Sequence, residues 1–284
     1  FPGSNWVYLK LHMEQKKIDE FLIGYLYNFI EDFRQKGNLK EWFIVRYQDP
    51  ESHLRIRIHS QSFQMVSEIL IEFEKQFVIW TDLGWVRDVS ISKYEREIER
   101  YGGSNLIEIS ETIFYRDTLS TLYTIHAFLT KQVECEEIIL HALSIVNFLR
   151  NFNLSVNEII SILNIAKHSE SELKGFRQHK NELITLINAL QFDRNNEIPE
   201  IQVMHAASQI RLESIQHFCK IARHLEIERR NSIIESLLHM HCNRLGCLGK
   251  QETRVKLYAN QALLSIMHKE FALLHCSINQ IARK

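Results

Sequence analysis

Residues His53 to His59 read His-Leu-Arg-Ile-Arg-Ile-His, and this strict polar/apolar alternation is the tightest constraint in the sequence on how the chain folds. In a strand, successive side chains point to opposite faces. His53, Arg55, Arg57 and His59 therefore share one face, and Leu54, Ile56 and Ile58 share the other. Side chains two apart on a strand stand roughly 7 Å from each other, close enough for two guanidinium groups to hold one carboxylate or phosphate. The pattern predicts either an anion site on a rigid element or the solvated polar face of a one-sided sheet, and alternation alone does not choose between them.

The rest of the first hundred residues switches between two periods. Trp6 to His12 alternates as a strand, with Val7, Leu9 and Leu11 on one face and Tyr8, Lys10 and His12 on the other. From Lys16 to Phe33 the apolar residues recur at spacings of three and four, predicting an amphipathic helix that ends near Gly37. Glu41 to Tyr47 returns to strand character, and Gln48-Asp49-Pro50-Glu51-Ser52 supplies a turn into the arginine strand. A second helix follows, with Phe63, Val66, Ile69, Leu70, Phe73 and Phe77 on its stripe, and Val86 to Lys93 reads as a fourth strand. The order β-α-β-β-α-β predicts a ferredoxin-like layer with both helices on the apolar face, leaving Lys10, His12, Arg55 and Arg57 for a second layer to roof.

Helical periodicity fills the remainder, over residues 107–131, 134–151, 155–168, 170–191, 203–226, 228–246 and 251–281, with loops at Asn153–Ser155 and Asn195–Pro199. We therefore expect an α+β fold: a ferredoxin-like sheet subdomain over 1–104 packed against a larger helical bundle over 105–284. With 45% hydrophobic residues in 284, the chain can bury a full core. A net charge of -1 gives no global basic field for nucleic acid or an anionic membrane. Five cysteines without a CxxC pair or metal-ligand spacing suit a reduced compartment, so we expect a cytoplasmic protein without a metal site. No apolar run is long enough to span a membrane, and no secretion signal opens the chain. The start at Phe1-Pro2-Gly3-Ser4, close before a strand, reads as part of a longer protein.

Two further segments stand out. Tyr94 to Gly103 contains Tyr94, Glu97 and Arg100 on one side of a predicted short helical turn and ends in two glycines; its bland reading is a charged surface turn. In Ser236 to Gly246, His241 falls on the apolar stripe Ile234, Leu237, Leu238, His241, Leu245 and reads as a packed core histidine. His239 shares a polar face with Ser232, Ser236 and Asn243, where it meets either solvent or a ligand.

Taken in order, Phe1 to Leu11, Arg46 to Arg57, Tyr94 to Gly103, Glu111-Thr112-Ile113-Phe114-Tyr115-Arg116-Asp117 and Ser236 to Gly246 resemble the C-terminal region of class I lantibiotic dehydratases of the nisin and subtilin type, a region also found as stand-alone proteins of thiopeptide biosynthesis. In full-length members, an N-terminal region with no counterpart here transfers glutamate from glutamyl-tRNA to Ser and Thr of a precursor peptide. The C-terminal region then eliminates the glutamate, leaving dehydroalanine or dehydrobutyrine. The resemblance implies this lyase reaction, with functional roles for Arg55, Arg57, Arg100 and His239 and substrate contacts at Arg46, Tyr101, Asn243 and Arg244. Arg96 is the alternative to Arg100, and His241 the alternative to His239.

The residue types suit the chemistry. Removal of a weakly acidic Cα proton, enolate-like charge on the adjacent amide and a departing carboxylate all develop negative charge that arginines stabilise, and histidine can move the proton. No cofactor is implied. The expected partners are the glutamylated precursor peptide, an upstream glutamylation domain, a lanthionine cyclase and transporter complex, and a second copy as in full-length relatives; direct tRNA binding is not expected, and location at the periphery of a membrane-associated complex fits the same picture. Two alternatives remain open: a thiopeptide-type formal [4+2] cycloaddition making a pyridine ring, and a non-catalytic module that binds the peptide.

Overall fold

The computed structural model describes residues 4–163, 169–192 and 197–281. Phe1 to Gly3, the end of the helix expected over 155–168 and residues 195–196 of the expected loop lie outside them. The first layer runs β1 (Trp6–His12), a short turn Gln15–Lys17, α1 (Ile18–Phe21), a π-helical turn Leu22–Leu26, α2 (Tyr27–Gln35), β2 (Leu39–Tyr47), β3 (His53–Ser60), α3 (Phe63–Asp82) and β4 (Asp88–Ile91). The second contains α4 (Ser104–Leu129), α5 (Glu137–Arg150), α6 (Val156–Ile162), α7 (Glu170–Phe192), α8 (Pro199–Ala222), α9 (Ile227–Arg244) and α10 (Lys250–Ile281). α8 begins four residues before its expected start because Pro199 is its first helical residue, where a missing N–H costs nothing. No helix among the described residues is long and apolar enough to cross a membrane.

The four strands form one antiparallel sheet in the order β2-β3-β1-β4. Val7, Leu9, Leu11, Leu54, Ile56 and Ile58 meet Ile18, Phe21, Leu26 and Ile30 from the first helical run and Ile69, Phe73 and Trp80 from α3 in one core cluster. Leu54, Ile56 and Ile58 are fully buried, each contributing about 1.5–3 kcal/mol relative to exposure. Phe43 and Val45 point the other way and join the larger cluster built from the second-layer helices. The sheet is thus sandwiched, and α4 belongs to both clusters, with Phe114 in one and Tyr115 and Leu122 in the other.

β2 is an edge strand, so its outward backbone groups need partners. The Thr118 hydroxyl receives the Ile44 N–H at 3.4 Å, and the Asn243 side chain both accepts from the Arg46 N–H (2.8 Å) and donates to the Arg46 carbonyl (2.9 Å). The Arg46 guanidinium donates to the Arg244 carbonyl at the C-terminus of α9 and pairs with Asp19 at 2.5 Å. Gly246 permits this approach: it sits at φ +88°, and a Cβ there would meet Arg46 Nη1 at 3.3 Å. These contacts fix α9 against the sheet and so set the distance between the arginine face and Ser236 to Gly246.

His141 of α5 is buried, with Nδ1 3.1 Å from Cys247 Sγ, and burial pushes its pKa down to about 4. Between that value and the ordinary 6.5, the unfolded chain binds a proton at His141 that the folded chain refuses. Stability therefore rises with pH across this window and is lost on acidification, by up to roughly 3 kcal/mol. Urea unfolding from pH 4 to 7 should show this slope, and His141→Gln should flatten it.

Candidate functional site

The sheet register builds the site row by row. Tyr8, Arg57 and Phe43 are cross-strand neighbours on β1, β3 and β2, as are Lys10, Arg55 and Val45 in the next row, so aromatic rings flank Arg57 by construction. The Arg57 guanidinium carbon lies 4.9 Å from the Tyr8 ring centre, 5.4 Å from Phe43 and 4.7 Å from Tyr94. That of Arg55 lies 3.3 Å from the Tyr47 ring, and its Nε donates to His53 Nε2 at 3.0 Å. His53 in turn donates from Nδ1 to the Glu51 carbonyl at 2.8 Å; burial holds its pKa below the ordinary histidine value, consistent with this neutral form. Of the remaining predicted polar-face residues, His59 is covered by Trp6, stacked at 4.5 Å.

A cavity of about 300 Å³ opens between this face and the helical layer, and Arg46, Arg55, Arg57, Arg100, Tyr101, His239 and Asn243 all line it. Of the eight predicted site residues, seven therefore meet at one place. The eighth, Arg244, does not reach it: buried behind the wall, it lies 3.3 Å from Asp117 and 4.9 Å from the Phe114 ring centre. Arg46 and Asn243 reach the wall, but their polar groups are engaged in holding α9 to β2.

The segment 94–103 departs from the expected helical turn. Tyr94 and Arg96, two apart, both point at Glu111 of α4, an extended-chain spacing, and the chain turns only over 98–102. Tyr94 donates to Glu111 at 2.8 Å and Arg96 binds it through two nitrogens, so Arg96 is held by a buried carboxylate away from the cavity. Arg100 instead lines the cavity, paired with Glu97 at 2.8 Å. Gly102, at φ +92°, packs against Leu106 and Ile233, where a Cβ would come within 2.5 Å of a Leu106 methyl. That close approach brings Tyr101 and Arg100 onto the wall.

The cavity is lined by Arg46, Arg55, Arg57 and Arg100 and by the carboxylates Asp49, Glu95 and Glu97, and these charges are unevenly paired. Arg46 and Arg100 have carboxylate partners, whereas among the described residues neither Arg55 nor Arg57 has one within ion-pair distance. Arg57 Nε is buried with no hydrogen-bond partner, a state costing about 1–3 kcal/mol. Behind Phe43 and Phe114, Asp117 neutralises only one of the two buried arginines Arg211 and Arg244, adding positive potential to the same wall.

The two histidines separate cleanly. His241 is fully buried, stacked on Phe148, with Nδ1 2.8 Å from Asp117 and Nε2 3.1 Å from Ser144, and burial holds its pKa below the ordinary value. His239 is half exposed at the cavity, with Nδ1 2.8 Å from Glu252 of α10. Glu252 is largely buried and also bound by Lys256 at 2.5 Å; burial raises its pKa, but these hydrogen bonds outweigh it and keep it ionised. Sequence reasoning missed Glu252, whose only signal was its i to i+4 spacing to Lys256. Among the described residues, no group of three or more His, Cys, Asp or Glu side chains is arranged to hold a metal ion.

The family model for the lantibiotic biosynthesis dehydratase C-terminal region matches residues 6–263. The nisin biosynthesis protein NisB of Lactococcus lactis subsp. lactis is 27% identical over 273 residues, which are 92% of this chain and 26% of that protein. The chain spans about a quarter of the length of the curated relatives it matches. Among solved structures, the tRNA-dependent lantibiotic dehydratase MibB from Microbispora matches with a TM-score of 0.81 at 21% identity, over 95% of this chain and 29% of that one. The pyridine synthase TbtD from thiomuracin biosynthesis matches at 0.65 and 12% identity, over 93% of this chain and 99% of that one.

Proposed function

This chain belongs to the family of lantibiotic biosynthesis dehydratase C-terminal regions, and from that premise we propose that it eliminates glutamate from glutamylated Ser and Thr of a precursor peptide. The observation that carries the reading is the pair Arg55 and Arg57, neither within ion-pair distance of a carboxylate among the described residues, in a cavity shared with His239. Arg55 and Arg57 grip the glutamyl group, one to two arginine forks being the natural receptor for carboxylates. His239 takes the Cα proton at Nε2, the Cα–H electron pair becomes the Cα=Cβ bond, and the Cβ–O bond breaks to release glutamate. Arg100 stabilises the charge that develops. The glutamylation step, the precursor peptide and any cyclase, transporter or second copy belong to the longer assembly in which this chain works. We read the sheet layer as ferredoxin-like, supported by the strand order β2-β3-β1-β4, and the chain as two subdomains meeting near residue 104, supported by the two core clusters.

A second reading, formal [4+2] cycloaddition, is favoured by one observation: the match to a pyridine synthase spans 99% of that protein. Supplying the purified chain with either a glutamylated peptide or a peptide bearing two dehydroalanines decides between them. Loss of the glutamyl adducts with gain of dehydroamino acids is expected. Ring formation from the second peptide supports cycloaddition, and binding of either peptide without turnover supports a non-catalytic module.

A further inference from the structure

The geometry at the junction of α9 and α10 points to a residue that no motif singled out. Resting on the elimination reading, we infer that Glu252 is a positioning residue that holds His239 with its proton on Nδ1 and its Nε2 lone pair free for the substrate. Three observations carry this. First, Glu252 Oε2 lies 2.8 Å from His239 Nδ1, while among the described residues no protein group is bonded to Nε2. An ionised carboxylate has no proton to give, so the shared proton sits on the imidazole, and the other ring nitrogen is the acceptor. Second, Glu252 is itself held: Lys256 Nζ binds Oε1 at 2.5 Å one helical turn on, and the carboxylate is largely buried while His239 stands half exposed at the cavity. A fixed carboxylate behind a half-exposed ring is the arrangement that restricts ring rotation. Third, the two residues come from different helices joined by the turn at Gly246 to Gly249, so the pair is a feature of how α10 folds back on α9 rather than of helix spacing.

The chemistry gives the pair a purpose. When His239 accepts the Cα proton it becomes an imidazolium in a cavity lined by Arg55, Arg57 and Arg100 and by Asp49, Glu95 and Glu97, and among the described residues Glu252 is the carboxylate within ion-pair distance of its ring. Without a counter-charge that imidazolium would form at a cost. The Glu252 carboxylate supplies the counter-charge on the side away from the substrate, leaving the arginines to act on the glutamyl group.

The test compares Glu252→Gln and Glu252→Asp with the wild-type chain, using a glutamylated peptide and, separately, ¹⁵N NMR of the histidine rings, with the His239 signal assigned by its absence from His239→Gln. In the wild type, the His239 proton should be on Nδ1. In Glu252→Gln it should shift towards Nε2, the tautomer free imidazole prefers, and kcat should fall on the order of 10- to 100-fold with KM little changed. Glu252→Asp keeps the charge and should recover part of kcat. A wild-type ring protonated on Nε2, an unchanged kcat in Glu252→Gln, or an Asp variant no better than Gln each overturns the inference. A wild-type chain that performs no elimination instead overturns the parent reading, while the ring tautomer, which needs no turnover, still decides whether Glu252 orients His239.

Discussion

Arg57→Ala is expected to slow glutamate elimination on the order of 10²- to 10³-fold, the loss typical of removing one preorganised donor from developing negative charge, with little change in stability. The asymmetry follows from where the side chain sits. Deleting the guanidinium loses its contacts with the Tyr8, Phe43 and Tyr94 rings, but it also removes a buried Nε that has no partner, and the two effects on stability offset each other. Arg57→Lys should not rescue, because an ammonium cannot reproduce the planar fork held between Tyr8, Phe43 and Tyr94. Arg55→Ala should act in the same direction, and the double variant should fall short of the product of the two, since both arginines grip one group. Steady-state kinetics on a glutamylated peptide, with urea unfolding alongside, checks this. An Arg57→Ala chain within about threefold of wild-type kcat/KM would remove the cavity from the account.

Asp117→Asn should have the opposite profile, a large loss of stability of about 3–5 kcal/mol, because it leaves buried arginines without their counter-charge. Asp117 lies 3.3 Å from Arg244 and 3.7 Å from Arg211, and its other partner, His241, is equally buried. Burial alone would raise its pKa, but His241 and the two arginines hold it below the ordinary carboxylate value. The sign is then fixed: this contribution is complete above the unfolded-state pKa and disappears as pH falls through the depressed folded-state value. Urea unfolding near neutral pH reads the effect directly, and a chain too unstable to purify folded is its extreme form. A loss below about 1 kcal/mol would mean that the buried cluster is held by something other than Asp117.

The periodic parts of this molecule were legible because period is a backbone property. The alternation of Trp6 to His12 and His53 to His59 placed Leu54, Ile56 and Ile58 in one core and Arg55 and Arg57 on the opposite face, as the structure has them. The apolar stripe of Ser236 to Gly246 likewise marked His241 as buried. What was not legible depends on which neighbour a side chain meets after folding. Asn243 and Arg244 are adjacent in sequence, yet about 100° of helical rotation sends one to the β2 edge and the other to Asp117. Arg96 and Arg100 both looked available until Glu111, on α4, took Arg96. The expected helical turn at Tyr94 failed for the same reason: binding Tyr94 and Arg96 to one carboxylate requires extended chain. Glu252 stands thirteen residues from His239, and only the turn between two helices brings them together.

One measurement bears on the central claim without intermediaries: a single-turnover reaction of the wild-type chain with a peptide carrying one glutamylated serine, quenched over time and analysed for both products. Elimination predicts one free glutamate and one dehydroalanine for every adduct lost, rising together. Glutamate released with serine restored would show ester hydrolysis, and an adduct that persists on folded protein would show no reaction; either result contradicts the account.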